Sequence, residues 1–310
     1  MTTPAVSVVM AAKNYAKFIP EAIVSLRAQT FVDWELVIVD DGSTDATPEA
    51  VRPYLADPRI RYFRSDALGQ SRAKNLGIGF GRGEFVAFLD ADDAWFPDKL
   101  AEQVQLLRAN PSVGVTYTQR ELIDETGKSL GFRTEALPGG WVLSQMFLQN
   151  FVCFSSAMVR RSVFEAIGVF DPVLDLSIDY DLWLRAAKHF EFRPIQKVLV
   201  KYRTGHGNLS KKLADRVATA IGIKNRAVYR RGLESELPRG LIAEGYTSTC
   251  QTLGYVLRAS EPATAAKWYA EALRWPSKRK AALKGLLKCG WIWALRKREV
   301  GSAENASANG

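Results

Sequence analysis

The stretch from Phe85 to Asp93, FVAFLDADD, constrains this chain more than any other. Phe85 to Leu89 is an unbroken apolar run that suits a buried strand and is too short for an ordinary helix. It stops on three carboxylates, Asp90, Asp92 and Asp93, with Ala91 between the first two. The next segment, WFPDKL, puts Pro97 where a helix takes its first turn. A buried strand that ends in acids and hands over to a helix belongs to an open α/β sheet, which binds ligands at the carboxyl ends of its strands. Crowded carboxylates repel one another. A hard cation, Mg2+ or Mn2+, relieves that repulsion and keeps positions open for phosphate oxygens. The same acids could do no more than solvate a helix start, so their surroundings have to decide.

The chain before this stretch repeats the pattern. Val6 to Met10 reads as a first buried strand, and Ile19, Ile23, Val24 and Leu26 suit one face of the helix that follows. Their link, AAKNYAKF, has no glycine-rich phosphate loop, which argues against a dinucleotide-binding fingerprint and a P-loop. Trp34 to Val39 is a second strand, running into Asp40, Asp41 and Gly42. These acids are either turn chemistry or acceptors for a base or ribose. Thr44 or Asp45 caps a helix through Thr47 to Leu55. Ile60 to Arg64 is a third strand. Arg72, Lys74 and Asn75 open the next helix and are placed to meet phosphate or base, or to face solvent. The alternation implies a mostly parallel sheet with helices on both faces.

Beyond the acids, a helix covers Asp98 to Arg108 and a strand Val113 to Thr118. Thr126 to Gly140 reads as a loop or hairpin. Trp141 to Phe154 either lines a cleft or is core. Ser155 to Val159 reads as a strand and Arg161 to Ile167 as a short helix. Asp179 and Asp181 then fall in the first turn of a helix, where acids complement the dipole. The functional alternative makes Asp179 a catalytic base. Lys197 to Tyr202 closes the strand count. His206, between Gly205 and Gly207, is either a surface residue or part of a mobile ligand loop.

From Lys211 the chain changes character. Between Lys211 and Val300 there are 19 Lys and Arg against 7 Asp and Glu, while the net charge of the whole chain is +9. The remainder is therefore mildly acidic, and the basic part faces an anionic lipid surface, an acidic partner or solvent. Nucleic acid is not expected, because no aromatic platform interleaves with the basic residues. A segment around Leu253 to Pro276 resembles one tetratricopeptide-like helix pair. Leu283 to Arg298, with Trp291 and Trp293, either lies in a membrane interface or packs Trp291 and Leu295 on the body. Three dispersed cysteines, Cys153, Cys250 and Cys289, form neither a disulfide framework nor a metal motif and point to a reducing, cytoplasmic compartment. The start, MTTPAVSVVM, resembles neither a signal peptide nor a membrane span. Three regions follow: 1–210, nucleotide-binding and catalytic; 211–300, basic and helical; and 301–310, a small, polar, disordered tail.

Taken together, VSVVMAAKNYAKFIPEAIVSLRAQTFVDWELVIVDDGSTDAT, LGQSRAKNLGI, GEFVAFLDADDAWFPDKL and IDYDLWLR resemble a family 2 glycosyltransferase, over about residues 5 to 210. The resemblance implies a GT-A, Rossmann-like fold carrying a C-terminal helical extension. It implies inverting, metal-dependent transfer of a hexosyl group from a nucleotide-diphosphate sugar, a UDP-sugar first. The implied acceptor is a saccharide or lipid-linked glycan in cell-surface polysaccharide synthesis, with the protein peripheral on the inner face of a membrane. By the same resemblance, Asp41 contacts the nucleobase. Asp90, Ala91 and Asp92 meet the ribose and diphosphate, and Asp92 and Asp93 are ligands to Mn2+ or Mg2+. Asp179 is the base, and His206 touches diphosphate or metal. Arg72 and Asn75 border the donor. Ala11 and Lys13 stand where many relatives place polar or aromatic base contacts, and Ile178 replaces the usual Glu before the base. The two other classes consistent with these residues are a sugar nucleotidyltransferase, which would want the missing glycine loop, and a non-catalytic nucleotide-sugar-binding adaptor.

Overall fold

The computed structural model describes residues 3–132, 135–205, 213–275 and 279–290. Its chain divides into two units: Met1–Met146 with Asn150–Asn208, and Phe147–Gln149 with Leu209–Gly310.

The first unit is built on the apolar runs. Strands β1 (Val6–Ala12), β2 (Trp34–Asp40), β3 (Ile60–Arg64) and β4 (Phe85–Phe88) lie parallel in the order β3-β2-β1-β4. Because side chains alternate across a strand, each central strand feeds two cores. Val8, Met10, Leu36 and Ile38 pack on one side with Ile19, Ile23 and Leu26 of α1 (Ile19–Arg27). Val37 and Val39 pack on the other with Ala73 of α3 (Gln70–Phe80). Each such buried aliphatic side chain contributes about 1.5–3 kcal/mol. Helix α3 comes unusually close, since a Cβ at Gly77 would stand 2.4 Å from Cγ1 of Val9. A short helix α2 (Thr47–Val51) joins β2 to β3, and Asp45 accepts the Thr47 backbone N–H at its start, at 3.0 Å.

β1 lies between β2 and β4, so the chain leaves it in one direction and returns on its other side. This is the switch point at which open sheets bind ligands. Past β4 the sheet is mixed. β5 (Ala94–Trp95), α4 (Lys99–Ala109), β6 (Val113–Ile123) and β7 (Ser129–Phe132) follow in sequence. Then come α5 (Leu143–Leu148), β8 (Met158–Arg160), α6 (Arg161–Ile167), α7 (Ile178–His189) and β9 (Glu191–Arg203). β8 runs antiparallel between β4 and β6, β6 pairs parallel with β9, and β7 forms a hairpin with β6.

Two segments differ from the sequence expectation. Phe154–Ser156 is a single 3-10 turn, not the start of a strand. Ser156 donates from both its hydroxyl and its backbone N–H to the Cys153 carbonyl, and such local bonds compete with sheet pairing. β9 begins at Glu191 rather than near Lys197, because pairing with β6 recruits a polar, proline-containing run that local propensity disfavours. In the stretch from Trp141, the residues Val142, Met146, Phe147, Val152 and Cys153 are buried and Trp141 is exposed.

The second unit is helical: α8 (Leu213–Asn225), α9 (Arg239–Leu257), α10 (Pro262–Leu273) and a last helix, α11, over 279–290. Lys224 is buried inside it, donating to Leu148 O, Gly245 O and Thr249 Oγ1 at 3.4, 2.8 and 2.7 Å. No described helix is long and apolar enough to cross a membrane. All three cysteines are free and buried.

Candidate active site

The acids gather where β4 ends. Asp92 and Asp93 are buried and Asp90 is half-buried. Lys74 reaches them from α3, its ammonium 3.3 Å from Asp90 Oδ1 and 4.2 Å from the centre of the Phe154 ring. The close approach at Gly77, one turn further along α3, sets that position. The Asp90 backbone N–H donates to Ser155 Oγ at 3.0 Å, and the Trp95 indole N–H donates to the Ser155 carbonyl at 2.8 Å. The 3-10 turn therefore serves as a bracket for the acidic loop.

Arg203, at the carboxyl end of β9, holds the loop from the other side. Its backbone N–H donates to Asp93 Oδ1 at 2.8 Å and its Nε to the Asp92 carbonyl at 2.8 Å. Its Nη1 donates to the carbonyls of Asp124 and Glu125, and its Nη2 pairs with Glu21 of α1. Every nitrogen of this buried guanidinium thus has a structural task, and four segments are tied to one residue.

The electrostatics follow from crowding. Burial, then the charges of Asp92 and Asp90, pushes the Asp93 carboxyl well up, against the pull of the Ser155 hydroxyl and the Arg203 N–H. Burial also raises Asp90; Lys74 opposes the shift, and Asp92 and Asp179 add to it. The Tyr15 phenol, on the loop after β1, is raised by burial and then by Asp92, Asp90 and Asp93. Asp93 Oδ2 is buried with no hydrogen-bond partner among the described residues. An unpartnered buried carboxyl oxygen of this kind is available to a cation. Among the described residues no group of three or more His, Cys, Asp or Glu side chains forms a ready metal cage.

Asp179 stands in the first turn of α7, and its charge is felt at Asp90. Asn150 Nδ2 donates to Asp179 Oδ2 at 2.8 Å, while Asn150 Oδ1 accepts the Val152 backbone N–H at 3.2 Å. The helix starts after Ser177, a non-glycine residue at φ 53°, which is a strained conformation of the kind held only by surrounding structure. Ile178, where the family pattern has Glu, is buried in the core.

The other sequence candidates occupy varied positions. Asp41 accepts Ser65 Oγ at 3.0 Å and the N–H groups of Leu68 and Gly69 at 2.6 and 2.9 Å, so its carboxylate builds the loop between β3 and α3. Asn75 commits both ends of its amide to the Phe170 backbone. Ala11 packs half-buried beside Val37 and Val39, Lys13 and Arg72 are exposed, and Ala91 is buried. His206 lies outside the described residues. Sequence reasoning did not find Asn150, Arg203 or Tyr15, and it read Lys74 as a phosphate or base contact or a surface residue rather than the partner of Asp90. Asn150 gave no signal, being one of four polar residues, with Ser144, Gln145 and Gln149, in an otherwise apolar stretch. Arg203 gave a faint one, a charge at the end of a buried strand.

Residues 7–168 match the family model described as glycosyl transferase family 2. An uncharacterized glycosyltransferase of Rickettsia felis is 32% identical over 218 residues, covering 68% of this chain and 36% of that protein. One from Methanocaldococcus jannaschii is 31% identical over 209 residues, covering 66% and 72%. The chain thus matches well under half the length of the Rickettsia relative. Among solved structures, Staphylococcus aureus TarS 1-349 in complex with UDP-GlcNAc superposes with TM-score 0.60 at 15% identity, covering 94% of this chain and 91% of that one. The mannosyltransferase PcManGT of Pyrobaculum calidifontis, in complex with GDP-Man and Mn2+, gives 0.61 at 19%, covering 94% and 88%. At such identities the likeness shows the fold, that of the GT-A glycosyltransferases.

Proposed function

The chain belongs to glycosyl transferase family 2, and from that premise we propose that it is an inverting, metal-dependent glycosyltransferase with Asp179 as its base. The donor is a nucleotide-diphosphate sugar, a UDP-sugar first. The acceptor is a hydroxyl of a saccharide or lipid-linked glycan in cell-surface polysaccharide synthesis.

The observation that carries this reading is the Asn150–Asp179 pair beside the acidic loop. With Oδ2 held by Asn150, Asp179 keeps Oδ1 without a hydrogen-bond partner among the described residues. An acceptor hydroxyl gives its proton to that oxygen as its own oxygen bonds to the anomeric carbon. On the opposite face the bond from that carbon to the diphosphate oxygen breaks, and the electron pair leaves with the diphosphate. Attack from one face and departure from the other invert the centre, and the fixed ends of β4 and α7 hold the two in line.

The orphaned Asp93 Oδ2 and the raised acids fit a divalent cation held by Asp92 and Asp93. When bound, Mn2+ or Mg2+ supplies positive charge to the leaving diphosphate. One or two carboxylates suffice for such an ion when phosphate oxygens complete its shell, which accords with the absence of a full protein cage. Lys74 adds a fixed positive charge at Asp90. The ribose and diphosphate lie along Asp90, Ala91 and Asp92. The nucleobase lies across the ends of β1 and β2, near Ala11, Lys13 and the loop that Asp41 builds, with Arg72 and Asn75 at the margin of the donor.

Thermal unfolding with UDP, GDP and dTDP, each with and without Mn2+, tests the donor site. A shift with UDP that needs the metal supports it. No shift with any of the three overturns it. Asp179→Asn should keep that shift and lose turnover, and wild-type turnover in this variant would remove Asp179 as base.

A further inference from the structure

Helix α11 is inside out. Its inward side carries Ala282, Gly285 and Cys289, all buried, while Leu283 and Leu287 are 51% and 76% exposed. The inversion is enforced by packing. Cys289 clusters with Ala265 and Tyr269 of α10, and Ala282 with Ala272 of α10 and Cys250 of α9. A Cβ at Gly285 would stand 2.3 Å from the Tyr269 ring, and one at Gly254 of α9 would stand 2.9 Å from the same ring. Tyr269 therefore lies between two glycines and leaves no room for a side chain at position 285, while Leu286, half-buried, packs at the edge of the same cluster. The helix cannot roll to bury its leucines without driving a bulky group into Tyr269.

The outward face has a definite chemistry. At 100° per residue, Leu283 and Leu287 form one short stripe. Lys280, Lys284 and Lys288 form the adjacent stripe, also exposed, and Arg279 flanks the leucines on the other side. No acidic residue occurs between Glu271 and Glu299 in the sequence. The helix itself thus offers these lysines no acid at i±3 or i±4 to pair with. Two leucines rimmed by unneutralised cations match a layer that is apolar below and anionic at its surface. Lysine stems lie along apolar material while their ammonium groups stay with the anionic groups.

We propose that the Leu283–Leu287 face of α11 docks the protein on an anionic lipid surface, inserting the two leucines among headgroups while Lys280, Lys284 and Lys288 pair with their charges. This deepens the reading of a lipid-linked acceptor, but it does not depend on Asp179 or on donor binding, so each can fail without the other.

The test is flotation of the full chain with phosphatidylcholine vesicles, with and without phosphatidylglycerol, at low and high salt. The expected result is flotation with the anionic vesicles only, weakened by salt. Leu283→Ser with Leu287→Ser should reduce it at least about fivefold, and Leu287→Trp should strengthen it. Both leucines are exposed, so these variants should melt like the wild type, and a calorimetric scan verifies that. Equal flotation of wild type and the double serine variant would overturn the proposal. So would the absence of wild-type flotation. A concentration-dependent dimer in light scattering, abolished by the serine pair, would overturn it in favour of a second copy of this chain.

Discussion

Asn150 cannot turn its amide over. Its oxygen is taken by the Val152 N–H, so its NH2 must face Asp179. An NH2 group only donates, so Asp179 Oδ2 must accept, and under the proposed role of Asp179 as base the acceptor proton goes to Oδ1. Asn150→Asp preserves the shape and removes the donor. It should lower turnover by about tenfold or more with the donor KM and the nucleotide-dependent melting shift unchanged. Equal loss of both would show that Asn150 only supports the fold. Asp41 lends itself to a different measurement. Asp41→Ala leaves the N–H groups of Leu68 and Gly69 without their acceptor, at about 1–3 kcal/mol for each that stays buried. The melting temperature should fall even with no nucleotide present. A stability equal to wild type would mean that the loop does not depend on this carboxylate.

At the scale of elements, the site depends on how closely α3 lies on β1. Gly77→Ala places a methyl 2.4 Å from Val9 Cγ1, and overpacking of this kind costs about 1–3 kcal/mol. Because Lys74 is one turn away, the helix should carry its ammonium off Asp90. Loss of stability in denaturant, with weaker Mn2+-dependent nucleotide binding, is the expected pair of results. A destabilised protein with unaltered nucleotide binding would show that Lys74 tolerates the shift. The 3-10 turn at Phe154–Ser156 and the Arg203 anchor act on the same loop from two further elements. The acidic loop is thus fixed by sequence-distant segments, none of which contains an acidic motif of its own.

At the scale of the whole molecule, each unit holds a lysine whose ammonium burial pushes down, Lys99 in the first and Lys224 in the second. Burial lowers the Lys224 ammonium in the helical unit to about 7, from an ordinary 10.5. Between those values the unfolded chain holds a proton that the folded one has released. Stability of this unit should therefore rise with pH across that window, by up to about 1.4 kcal/mol per unit, and flatten below it. Thermal scans from neutral to alkaline pH should show a steeper slope in the wild type than in Lys224→Met, the remainder belonging to groups such as Lys99. An identical slope in both would assign it to other groups. The sequence by itself determined the strands of the parallel half, since short apolar or β-prone runs alternate there with helix-length segments, the pattern of a covered parallel sheet. It also determined that Asp90, Asp92 and Asp93 share one strand end, because they are neighbours in the chain. Only the tertiary structure decided which groups meet them. Lys74, Ser155 and Arg203 arrive from α3, a 3-10 turn and β9, while Asn150, after α5, meets Asp179, and no local pattern encodes contacts made across such separations. The same holds for β9, whose first half forms only because β6 lies beside it, and for α11, whose exposed leucines follow from the absence of a Cβ at Gly285. Periodicity reports which face of an element is apolar. Which face the neighbours have room for is settled by packing.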